Sequence, residues 1–144
     1  MTKAIRFEKT GGSDVLQYVD VDLPPPGPGQ VRVRNTAIGV NFIDTYQRTG
    51  LYKLPLPSGL GSEAAGIVEA VGEGVSRFKP GDRVGYASGF VGAYAQAANV
   101  PTARLMKLPE GISDEIAAAA MLKGMTAQYL LRRIHPVQAG ETIV

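Results

Sequence analysis

The chain has 144 residues, enough for one domain with a buried core but not for a second complete one. Its 44% hydrophobic and 19% charged residues are ordinary for a soluble globular protein, and the net charge of +2, from scattered Lys and Arg, offers no phosphate-tracking surface for nucleic acid. Cysteine is absent and His135 is the only histidine, which excludes disulfides and thiol chemistry and leaves a catalytic zinc, with its need for about three ligands, short of donors.

The first two-thirds read as β structure, with 18 glycines and 10 prolines supplying turns between short strands. Ala4 to Phe7 form a short apolar strand that Gly11-Gly12 interrupts. Val15 to Val21 resume extended character, and the proline-rich stretch from Leu23 to Gly29 is neither helix nor central strand. Val31-Arg-Val-Arg34 alternates as a strand with one face inside and one in water does. Asn41 to Thr49 predicts a short helix, with Asn41 as cap, Asp44 in the first turn and Gly50 as the left-handed stop.

Leu51 to Leu60 is a loop, and Ala64 to Val71 a nearly uncharged strand closed by Gly72. Lys79-Pro-Gly-Asp82 suits a type II turn, because Gly81 accepts positive φ. Val84 to Tyr86, Ala93 to Val100 and Arg104 to Leu108 give three further strands. Ser113, Asp114 and Glu115 then open an alanine-rich helix expected to end near Lys123-Gly124, and a second helix is expected from Thr126 to Arg133, stopped by Pro136. Gly140 to Val144 reads as a turn entering a strand, after which a βαβ unit is expected. The longest uncharged run of note, Ile116 to Leu122, is too short for a bilayer, and no secretory leader is legible, so the expected location is the cytoplasm.

Gly61-Ser-Glu-Ala-Ala-Gly66, followed by Val71-Gly72 and Val75, resembles the medium-chain dehydrogenase/reductase superfamily. Zinc-dependent members carry Gly-His-Glu-x-x-Gly there and a Cys ligand in the segment of Ile38 to Asp44. Here Ser62 replaces the His and Asn41 the Cys. Gly39-Val-Asn-Phe-Ile-Asp-Thr-Tyr46 with Gly50-Leu-Tyr52, Leu56 to Gly61, and Leu122-Lys-Gly-Met-Thr126 with Tyr129 to Arg132 are similar to zinc-free bacterial quinone oxidoreductases of the zeta-crystallin type.

That resemblance implies a mainly β fold with flanking helices, a GroES-like, partly open β-barrel over residues 1–124. Residues 125–144 would then connect to a Rossmann domain absent from this chain. It further implies that Phe42, Ile43 and Asp44 line the nicotinamide side of a cleft, that Asn41 sits beside the reacting ring, and that Thr126 and Tyr129 contact NADPH. Tyr46 and Tyr52 would border a quinone pocket, as aromatic walls and hydroxyl donors. The implied activity is hydride transfer from NADPH to a quinone without metal, in a homodimer of the whole protein, with the isolated chain inactive. Two alternatives stand beside it: an enoyl-thioester reductase of the same superfamily, and a non-catalytic GroES-like binding module. Each residue also has a plainer reading: Asn41 as helix cap, Tyr46 as core, Tyr52 as loop aromatic, Glu63 as an ion-pair partner, Ala117 to Ala120 as packing against another domain.

Overall fold

Two antiparallel sheets carry the fold in the computed structural model, which describes residues 1–87 and 89–143. The strands are β1 (Thr2–Phe7), β2 (Gln17–Val21), β3 (Gln30–Gly39), β4 (Ser58–Gly59), β5 (Glu63–Val71), β6 (Arg83–Ala87), β7 (Ala97–Pro101) and β8 (Leu105–Lys107). One sheet runs β2-β1-β4 and the other β7-β3-β5-β6-β8, with a single Ala4–Ala95 bridge linking the two. The architecture is mainly β with flanking helices, and its sheets do not close into a complete barrel.

The alternation in β3 sends Val31 and Val33 into a core with Val68, Val84, Tyr86, Val100 and Leu105. Arg32 turns outward and donates from its guanidinium to the Leu23 carbonyl at 2.8 Å, which ties down the proline-rich stretch. The β6 strand is preceded by the expected turn: Asp82 N–H donates to the Lys79 carbonyl at 3.1 Å and Gly81 has φ +91°. Both sheets meet where the segment after Gly92 crosses between them. There Ala93 and Tyr94 donate to the Gly61 and Leu60 carbonyls, so the expected strand from Ala93 begins only at Ala97.

Helix α1 (Phe42–Thr49) follows β3 and ends on Gly50 at φ +86°, as its pattern predicts. The pair of helices expected after Ser113 is instead one helix, α2 (Asp114–Tyr129), running on into a π-helical turn at Leu130–Ile134. Glycine inside a helix costs only about 1 kcal/mol against alanine, so Gly124 weakens α2 without breaking it. Ser113 caps the start, accepting from Ile116 N–H at 3.2 Å. Residue His135, ahead of Pro136, takes extended backbone and ends the helical run.

Ala117 and Ala118 pack on Ala65 of β5, so the small residues of α2 allow close approach to the chain's own sheet, while Ala119 and Ala120 stay exposed. The expected terminal strand does not form over residues 141–143, which pair with no strand among the described residues; Val144 lies outside them.

Candidate functional site

β3 ends at Gly39 beside the start of β5, and the register pairs Gly39 with Glu63. The absence of a side chain at Gly39 leaves room for Glu63, which is completely buried. A buried carboxylate is costly unless its charge and lone pairs are met. Glu63 Oε1 accepts from Leu122 N–H at 2.7 Å, and Oε2 accepts from Asn41 Nδ2 at 2.7 Å with Lys123 Nζ at 3.5 Å. Lys123 Nζ also donates to Asn41 Oδ1 at 2.7 Å. Asn41, itself buried, thus joins the end of β3, the start of β5 and the middle of α2.

Asn41 stands at the cap position of α1, yet its amide is committed to Glu63 and Lys123. The helix start is fastened by Asp44 instead, whose Oδ2 accepts from Asn41 N–H at 2.9 Å and from the Tyr94 hydroxyl at 2.8 Å. Burial first, then the Asp44 carboxylate, pushes the Tyr94 hydroxyl well above its ordinary range, so Tyr94 remains a protonated donor. Asp44 and Gln47, one turn apart on the buried face of α1, both carry a buried oxygen without a hydrogen-bond partner among the described residues.

A cavity of about 240 Å³ opens between α1, α2 and the loop after β6, lined by Ile43, Gln47, Ser62, Phe90, Val91 and Leu122, with Gly89 at its edge. Its walls are mostly apolar, and Gln47 Oε1 and Ser62 Oγ are both buried with no hydrogen-bond partner among the described residues. Unpaired buried polar atoms are rare in folded proteins, and two of them on residues that line one cavity make it the candidate place for a polar-edged ligand.

The aromatic residues form a neighbouring surface. Phe42 meets the Tyr46 ring edge-on at 5.2 Å, and Tyr46 lies 5.4 Å from Tyr52, with Phe42 and Tyr52 exposed and Tyr46 half-buried. Asn41, Phe42, Ile43, Asp44, Tyr46 and Tyr52 therefore share one end of the molecule. Thr126 and Tyr129 lie about one and two turns beyond Lys123 on α2, both exposed; Thr126 Oγ1 donates to the Leu122 carbonyl at 2.8 Å. Sequence reasoning missed Lys123, Tyr94 and Gln47 as parts of this region, and read Ser62 only as the residue in place of a zinc ligand. One signal was available: Glu63 is a lone charge inside an apolar run, which requires a cation or several donors nearby. His135 is exposed and faces Glu141 at 3.2 Å.

The family model for the alcohol dehydrogenase GroES-like domain matches residues 27–110. A quinone oxidoreductase of Pseudomonas aeruginosa is 58% identical over the whole chain, which covers 45% of that protein. An Escherichia coli quinone oxidoreductase, solved in complex with NADPH, superposes with a TM-score of 0.94 at 50% identity, over 96% of this chain and 43% of its own. A 2-haloacrylate reductase of Burkholderia is 46% identical over the whole chain and 45% of its own length. The chain thus spans rather less than half of the relatives it matches. On the match over residues 27–110 and these likenesses, the chain belongs to the alcohol dehydrogenase GroES-like domain family, with strong homology to bacterial quinone oxidoreductases of the medium-chain dehydrogenase/reductase superfamily.

Proposed function

We propose that this chain is the substrate-side part of an NADPH-dependent quinone oxidoreductase that works without zinc. The observation that carries the reading is the cavity lined by Gln47 and Ser62, whose buried oxygens have no partner among the described residues, set beside Asn41 and the Phe42–Tyr46–Tyr52 surface. The residues present fit a nicotinamide: Ile43, Phe90, Val91 and Leu122 would flank a planar apolar ring, and Gln47 and Ser62 would pair with a carboxamide. NADPH supplies a hydride when bound. Phe42, Ile43 and Asp44 form its near wall in this reading, with Thr126 and Tyr129 reaching it from α2, and Tyr46 and Tyr52 border the quinone.

A quinone takes up a hydride readily, since the product is aromatic, so orientation and exclusion of water are the main work left to these side chains. The zinc-free reading rests on donor chemistry. Where zinc-dependent members of the superfamily carry Cys and His, this chain has an amide held by an ammonium and a buried serine. The sequence holds no glycine-rich loop opening a helix, the feature that grips a pyrophosphate, so the dinucleotide is held mainly by the remainder of the whole protein. Residues 1–124 form the GroES-like unit in this reading, and the later part of α2 leads toward the nucleotide-binding part. A cytoplasmic homodimer completes the picture on the strength of the resemblance; no helix of the described residues is long and apolar enough to cross a membrane.

The test is NADPH oxidation with 1,4-benzoquinone by the full-length protein, with and without a chelator, beside the isolated 144 residues. Turnover that the chelator leaves unchanged, and none from the isolated chain, is the expected result. The similarity to 2-haloacrylate reductase favours a second reading, reduction of an activated carbon–carbon double bond. Turnover of 2-haloacrylate or an enoyl thioester, with none of quinone, would select it.

A further inference from the structure

We propose that Lys123 and Glu63 are positioning residues that lock the Asn41 amide in one of its two orientations, and so decide which hydrogen-bonding groups it has left to offer the candidate site. An amide is nearly symmetric in shape, and a buried one is turned either way by its partners. Here the partners are opposite in kind. The Lys123 ammonium only donates and sits 2.7 Å from Oδ1; the Glu63 carboxylate only accepts and sits 2.7 Å from Nδ2. Flipping the amide would set donor against donor and acceptor against acceptor in a buried place, at the cost of both bonds.

The lock is itself held in place. Glu63 Oε1 is fixed by Leu122 N–H at 2.7 Å, and Lys123 Nζ lies 3.5 Å from Oε2, so one ammonium meets both the carboxylate and the amide. Glu63 is fully buried whereas the Lys123 side chain is half exposed. Once these two bonds are made, Asn41 retains one N–H donor, while its oxygen also faces the Asp44 N–H in the capping box of α1. The inference rests on the reading that Asn41 faces the reacting groups, but the lock stands on geometry alone.

The experiment has one arm for each. In the full-length protein, selective ¹⁵N labelling of asparagine, with the Asn41 signal assigned by its loss in N41A, should show one Asn41 Nδ2 proton moved well downfield by its bond to the Glu63 carboxylate, and E63Q should move it back. Asn41 Nδ2 protons at the positions of a free asparagine amide would overturn the lock, whether or not any quinone is reduced. In kinetics with 1,4-benzoquinone, K123M should lower kcat by about tenfold with little change in KM, and K123R should recover most of it. In an N41A background the K123M change should have almost no further effect, because Lys123 acts through Asn41. An equal loss in both backgrounds would show a counter-ion for Glu63 only and would also overturn the proposal. Should K123M fail to accumulate folded, the resonance measurement on the unmutated protein still decides.

Discussion

Gly39 is where a single atom matters most. A Cβ there would lie 2.5 Å from Glu63 Oε2 and would press on the Ala118 carbonyl, so the carboxylate could not keep its place against Asn41 and Leu122. Gly39→Ala should therefore destabilise the fold by about 2 kcal/mol or more, read by denaturant unfolding, although it adds only a methyl group. A variant as stable as the parent would show that Glu63 has room to move. The same residues show what a sequence reveals of a site. Asn41, Asp44 and Gly50 announce themselves because a helix start and stop are local events, with all signals inside ten residues. The further partners of Asn41 and Asp44 come from 22, 50 and 82 residues away, as Glu63, Tyr94 and Lys123, and no local spacing announces such contacts. Asn41 does stand at the cap of α1, as its local sequence predicts, but its bonds to Glu63 and Lys123 lie beyond any local pattern for that reason.

At the scale of elements, α2 is fastened at its first residue. Asp114 Oδ2 accepts from Thr36 Oγ1 of β3 at 2.5 Å, and Oδ1 accepts from Arg83 Nη2 and Nε of β6 at 2.6 and 3.0 Å. The Thr36 hydroxyl first, then Arg83, holds the Asp114 carboxyl below its ordinary range despite opposing burial, and the Lys107 ammonium does the same for Asp82. Carboxylates depressed in the folded state support it above their unfolded pKa of about 4, and that support fades as the pH falls through the lower folded values. Acid should accordingly loosen the hold of α2 on the sheet. D114N should cost about 1–3 kcal/mol near pH 7 and flatten the loss of stability below about pH 4, measured by urea titrations across that range. An unchanged acid slope would mean that Asp114 contributes nothing to it. The strands that alternate, such as Val31 to Arg34, were legible from period two; the length of α2 was not, because Gly124 resembles a stop unless the contacts on either side are known.

Over the whole molecule, burial is uneven. The β core is closed on Val31, Val33, Val84 and Tyr86, whereas α2 buries only Ala117 and Ala118 and leaves Ile116, Met125 and Tyr129 exposed, followed by exposed Leu130, Leu131 and Ile134 in the π-helical turn. A helix covered on one side that leaves several large apolar side chains in water exposes a patch of the kind that drives association. The periodicity could not say which side of α2 meets the sheet, since its apolar residues and alanines are spread around the helix rather than gathered on one face. In solution the 144 residues alone should therefore associate, with a weight-average sedimentation coefficient that rises with protein concentration up to about 100 µM. Replacing Tyr129 and Leu130 together by Glu should lower that rise without disturbing the β core, because neither side chain is part of it. A chain that sediments as a monomer throughout would show that the exposed face of α2 does not drive association.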